Sequence, residues 1–230
     1  MSEPLNYQLV RSRKRKKTIT LQLKQDGKIV IYAPHHTSRN EIDTFFTEKS
    51  SWLQKKLIER EGQAEKADTP KEFVSGEKFL YLGEGYPLEI QDTSSRKTPL
   101  RLSYGVFILD KDRVDKAREL FLKWYREKAR EAIVERVGYW SKKLQLFPVD
   151  MRITNARSRY GSCSPQNTLS FSWRIIMAPY TVIDYVVVHE LVHIKEKNHA
   201  RRFWGYLETI IPDYRRRKLW LKENAHLLRM

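Results

Sequence analysis

Val188-His189-Glu190-Leu191-Val192-His193, continuing Ile194-Lys195-Glu196-Lys197-Asn198-His199, is the stretch on which the chain turns. Three of its six histidines fall within these residues. On a helix, positions four apart share a face, so His189 and His193 point the same way. Two imidazoles side by side can hold a zinc ion, and Glu190, next to the first of them, lies where it can take a proton from an activated water. The run Tyr185-Val186-Val187-Val188 and the flanking Leu191, Val192 and Ile194 are apolar, as in a helix buried in a core.

His199 is the candidate third ligand, since catalytic zinc sites commonly have three protein ligands and one open position. Six residues along a continuous helix is roughly 600°, about 120° off the face of His193. The chain must therefore bend between Ile194 and Asn198. The longer motif HExxHxxGxxH has glycine at the bend. Here Glu196 stands there, where a left-handed turn would be uncomfortable. Asn198 can start a new helix at His199. Glu208, on the following helical pattern, is the rival ligand or a partner that orients a ligand histidine.

A chain of 230 residues is long enough for a sizeable core. No apolar run approaches the roughly 18 residues of a membrane span. Met1 opens no hydrophobic signal region, and the single cysteine, Cys163, cannot pair within the chain, so a reducing, cytoplasmic setting is expected. The formal charge of +16 favours anionic partners such as nucleic acid or phosphorylated molecules. Its densest run is Arg11-Ser12-Arg13-Lys14-Arg15-Lys16-Lys17. No glycine-rich phosphate loop, zinc finger or RNP-like strand accompanies it, so nucleic acid is weakly supported.

The periodicities predict an α+β fold: a mostly antiparallel β region with one helix over residues 1–110, and a catalytic region over 111–230. Ile19, Leu21 and Leu23 alternate, Gln25-Asp26-Gly27 reads as a turn, and Lys28–Ala33 returns as the partner strand. A helix is expected over 38–61 with Ser38 and Glu41 as a capping box, then a linker over 62–70. Short strands follow from Phe73 to Leu109, among them a hairpin at Leu100–Leu109. A long helix is expected over 112–144. Asp150–Ile153 and Thr168–Ile176 read as a hairpin beside the motif helix, offering a strand edge to a peptide. Thr181 is expected to cap the motif helix and Asp213 the last one. Arg157, Arg159 and Arg174 are candidates to meet a negative group. Tyr160, or a residue of the last helix such as Tyr214, Arg215 or Arg217, is a candidate oxyanion donor.

The string Arg159-Tyr160-Gly161-Ser162-Cys163-Ser164, with His189-Glu190-Leu191-Val192-His193, Asn198-His199 and Phe203-Trp204, resembles the YgjP-like family of metal-dependent hydrolases. That family is grouped with the zincin metallopeptidases and usually has tryptophan at the position of Tyr160. The resemblance implies a minimal zincin-like core, the motif helix packed with a sheet and a long helix. It implies zinc on His189, His193 and His199, with Glu190 as base. Peptide is the substrate that the motif suggests. Some relatives resemble proteins described as UTP pyrophosphatases, so a nucleoside triphosphate is the alternative, and a non-catalytic nucleic-acid-associated role a third.

Overall fold

A computed structural model describes residues 6–13, 15–24, 27–67, 71–92 and 98–230, with backbone alone for 56 and 58–67. The contacts divide the chain into two units, Met1–Asp68 and Thr69–Met230. The boundary therefore lies before the sheet of residues 78–110 rather than after it. The cause is that Phe79, Leu88, Phe107 and Leu109 share a core with the long helix that follows. Residues 68–70, the end of the expected linker, lie outside the described residues.

In the first unit, alternating apolar residues build a three-stranded sheet: β1 (Tyr7–Ser12), β2 (Thr20–Leu23) and β3 (Ile29–Pro34), in the order β1-β3-β2. β2 and β3 pair antiparallel as expected, whereas β1 lies parallel to β3. Of the expected turn between β2 and β3, Gln25 and Asp26 lie outside the described residues. Ile31 and Ala33 pack with Ile42 of α1 (Arg39–Ala67). The capping box forms: Glu41 Oε2 accepts from Ser38 N and Oγ, both at 2.8 Å, and Glu41 N donates back to Ser38 Oγ at 3.2 Å. The helix runs on through Gly62. Part of the basic run has internal work, since Arg11 donates to the His35 and Thr37 carbonyls and Arg15 donates to Thr20 Oγ1.

In the second unit, β4 (Lys78–Tyr81), β5 (Glu84–Gln91), β6 (Leu100–Ser103) and β7 (Val106–Asp110) form a sheet in the order β4-β5-β7-β6. β6 and β7 are the expected hairpin; β5 and β7 are parallel. A short 3-10 helix, Lys111–Lys116, leads into α2 (Ala117–Leu144), with Asp110 accepting from Asp112 N. Phe79 stacks on Phe121 at 4.1 Å and Phe107 meets Trp124 edge-on at 4.8 Å, so α2 covers this sheet with aromatic rings.

The second sheet comprises β8 (Asp150–Thr154), β9 (Gly161–Cys163) and β10 (Thr168–Ser172), in the order β8-β10-β9. β8 and β10 are parallel, not a hairpin. The intervening β9 pairs antiparallel with β10, and two reversals bring the chain back in its first direction. Among the described residues the unpaired edge beside the motif is therefore that of β9, while residues 168–172 are paired on both sides. β10 ends at Ser172, and Trp173–Met177 is a buried 3-10 turn.

That turn sets the motif helix. Leu82 N and Gly83 N donate to the Ile176 and Met177 carbonyls, at 2.9 and 3.0 Å. Gly83 sits at φ +91, and a Cβ there would come 2.7 Å from Pro179 Cγ. α3 (Tyr180–Lys195) starts immediately after Pro179. Thr181 lies inside the helix rather than capping it. Asp184 faces α2, accepting from Arg136 at 2.6 and 2.9 Å and from Trp140 Nε1 at 2.8 Å. α4 (Arg201–Ile210) and α5 (Tyr214–Asn224) follow. Asp213 precedes α5 without a side-chain cap, its carboxylate taken by Arg217. Among the described residues, no helix is long and apolar enough to cross a membrane.

Candidate metal centre

Buried β-branched residues hold α3 in the core: Val182, Ile183, Val186, Val187 and Val192 are all below a tenth exposed. Burial runs around the whole helix, Tyr185, Val188 and Leu191 included, and His189 and His193 share one face near its C-terminal end, as a spacing of four requires. The helix ends at Lys195, and Glu196 takes φ −117, ψ 97. This is extended backbone, open to any residue. The bend that brings His199 back therefore needs no left-handed turn and no glycine. Asn198 Oδ1 accepts from Ala200 N at 3.2 Å, just before α4.

The result is a cluster of His189, His193 and His199, with ligand atoms within 4.8 Å of one another. The Nε2 atoms converge: His199 lies 2.9 Å from His189 and 3.1 Å from His193. His193 donates from Nδ1 to the Glu196 carbonyl at 2.9 Å. That bond puts its proton on Nδ1 and leaves a lone pair on Nε2. His199 Nε2 can offer at most one proton to its two neighbours. Three ring nitrogens this close, one of them a bare lone pair, suit a shared cation. Nitrogens 2.0–2.1 Å from one tetrahedral ion lie about 3.4 Å apart, close to the observed spacing. The residues fit a divalent metal with imidazole preference.

The protonation energetics point the same way. Burial first, and then the charges of His193, His199 and Lys218, push His189 down to about 3. Burial also lowers His199, with His193 and Lys218 adding. Both rings stay neutral, as metal ligation needs. Glu208 does not join the cluster; it pairs with Arg215 at 3.3 Å.

Glu190 is buried, 6% exposed. Burial pushes its carboxyl up to about 8, against the pull of Arg159. β9 runs directly over it: a Cβ at Gly161 would lie 2.5 Å from Oε1 and 2.7 Å from Cγ of Glu190. Gly161 faces Glu190 because no side chain fits between strand and carboxylate. Reading the sequence alone missed this contact, although the glycine in Tyr160-Gly161-Ser162 was its signal.

Of the other candidates, Arg159 is exposed and acts on Glu190 electrostatically. Tyr160 is half-buried, its phenol raised by burial while Arg229 and Arg174 oppose. Its carbonyl accepts from Ser172 N at 2.8 Å. Arg157 is exposed. Arg174 departs from expectation: it is buried, donates to Asn155 and lies over Trp173, so it braces the strand instead of facing a ligand. On α5, Arg217 is spent on Asp213 and the Thr181 carbonyl, Arg215 on Glu208 and the Tyr214 hydroxyl. Lys218 was not foreseen; it lies 4.5 Å over the Trp204 ring. Cys163 donates to the Ser164 carbonyl, and burial raises its thiol, which keeps it protonated.

A family model described as YgjP-like, metallopeptidase domain, matches residues 17–224. No curated protein matches the chain.

Proposed function

The chain belongs to the YgjP-like family, and from this premise we propose that it is a zinc-dependent peptide hydrolase with a minimal zincin-like core. In this reading His189, His193 and His199 hold the metal and Glu190 is the general base. The observation that carries it is the convergence of three imidazole nitrogens beside a buried carboxylate one residue from the first ligand. A bound divalent ion supplies a Lewis acid that brings the pKa of a nearby water towards neutral.

The chain's own residues do the rest. Glu190 takes a proton from the attacking water and hands it to the departing amine. Its raised pKa makes the protonated form stable enough for that second transfer. Gly161 lets β9 lie directly against the carboxylate. The edge of β9, unpaired among the described residues, is the place where an extended peptide can pair. Tyr160, protonated well above neutrality, donates to the developing oxyanion, and Arg159 steadies charge beside the base. The lone cysteine suits a cytoplasmic setting.

A second reading, hydrolysis of a nucleoside triphosphate to the monophosphate and pyrophosphate, is favoured by Arg159 and Lys218, whose charges act on Glu190 and on His189 and His199. One experiment separates the two. The zinc-loaded protein and its Glu190→Gln variant are offered a peptide library and a nucleoside triphosphate panel. Peptide cleavage lost in the variant supports the first reading. Pyrophosphate release lost in the variant moves the substrate to nucleotides. Turnover that survives Glu190→Gln removes Glu190 from its role.

A further inference from the structure

Histidines that bind metal are usually aimed by a hydrogen bond from the other ring nitrogen to a carbonyl or carboxylate. Here only His193 has that bond, to the Glu196 carbonyl. His189 Nδ1 is buried with no partner. Among the described residues, His199 makes hydrogen-bond contacts through Nε2 alone. Something else must fix the rotation of these two rings.

Phe203 touches all three. Its ring centroid lies 4.8 Å from that of His189 at 68°, 4.5 Å from His193 at 31°, and 4.7 Å from His199 at 71°. Two of these contacts are edge-on, the favourable arrangement for rings with negative faces and positive rims. Phe203 has no exposed surface and stands four residues after His199, in the first turn of α4. Trp204 stacks on His199 at 5.4 Å and 24°, and Tyr214 of α5 stacks on Trp204 at 5.4 Å and 20°. His199, the most exposed of the three, is thus held against a two-ring stack that α5 supports.

We propose that Phe203 and Trp204 are positioning residues for the metal: an aromatic floor sets the aim of His189 and His199 in place of hydrogen-bonded partners. α4 is then part of the metal site without supplying a ligand. An imidazole packed against these rigid rings cannot swing out of line without losing contact with them. Leucine fills much of the same space but offers no flat face and no electrostatic preference for ring edges. The inference rests on the reading that the three histidines hold a metal.

The test uses the full chain, stripped of metal and titrated with zinc against a competing chromophoric chelator. Wild type, Phe203→Leu, Trp204→Leu and Leu207→Ala are compared, each also unfolded in denaturant without metal. Leu207 is on the same helix and equally buried, so its variant reports destabilisation of α4 alone. The expected result is affinity reduced ~10- to 100-fold in Phe203→Leu and Trp204→Leu, the range for losing a ligand's supporting partner, and unchanged in Leu207→Ala. Folded Phe203→Leu and Trp204→Leu proteins that bind zinc as tightly as wild type overturn the proposal. So does an equal loss in Leu207→Ala at matched stability. Should Phe203→Leu not fold, Trp204→Leu, at a half-buried position, decides alone. A wild type that takes up no metal defeats the metal reading itself, a different failure.

Discussion

At the residue scale the pairing of Gly161 with Glu190 is the tightest constraint in the site. Gly161→Ala would put a methyl 2.5 Å from the carboxylate oxygen. We expect it to destabilise the metal-free protein by ~1–3 kcal/mol, the usual cost of overpacking. In a Glu190→Ala background most of that cost should vanish, because the clashing atoms are gone. A double-mutant cycle by urea denaturation measures the coupling, and additive costs would mean that the strand simply moves aside. Glu190 also imposes a pH dependence. Its folded-state pKa of about 8 lies above the ordinary 4.5. Between those values the folded chain binds more protons than the unfolded one, so this group makes stability fall as pH rises through the window. Metal-free Glu190→Gln should therefore match wild type below pH 4.5 and exceed it increasingly up to pH 8. Denaturation midpoints across that range check it; a constant difference would show that the carboxylate is not desolvated. His189, Glu190 and His193 were legible as a set from spacing alone. The Gly161 contact was not, because it joins residues 29 apart in sequence and depends on strand register.

At the element scale, the turn from α3 to α4 decides whether a third histidine arrives. Its geometry is extended at Glu196, and the carbonyl there accepts from His193 Nδ1. Glu196→Gly should therefore cost ~0.5–1 kcal/mol from added unfolded-state freedom and leave metal affinity unchanged. Chelator titration with a denaturation curve tests this, and a gain in stability would argue for a strained turn. Helical and strand periods marked α1, α2, α3 and most strands in advance. Strand partnership escaped them. Residues 150–154 and 168–172 read locally as a hairpin, but the alternation of apolar residues says which face is buried and not which neighbour is paired. End signals erred in a similar way. Thr181 and Asp184 suited an N-terminal cap, yet α3 begins at Tyr180 directly after Pro179, and Asp184 is drawn to Arg136 and Trp140 of α2.

At the scale of the whole molecule, the division after Asp68 assigns every metal-centre residue to the second unit. The aromatic core that carries α3 is also complete within it. A fragment from Thr69 to Met230 should fold cooperatively and take up metal with the affinity of the full chain. Calorimetry and chelator titration of the fragment test this, and a fragment that binds metal only when the first 68 residues are added back would refute it. The charge of +16 carried no comparable structural message, because repulsion summed over a surface does not specify a fold.

The order of residues alone sets the local chemistry: which positions carry imidazole and carboxylate, that His189 and His193 share a helical face, and that Glu41 caps α1 with Ser38. These follow from covalent geometry and from contacts between near neighbours. It took the packed chain to settle that His199 rather than Glu208 meets the other two, that β9 lies over Glu190, that Arg174 braces Asn155 and Trp173, and that Phe203 touches all three rings. Each of those depends on which distant segments compete for the same space. That competition is settled by packing and strand pairing across the whole core, which no local pattern encodes.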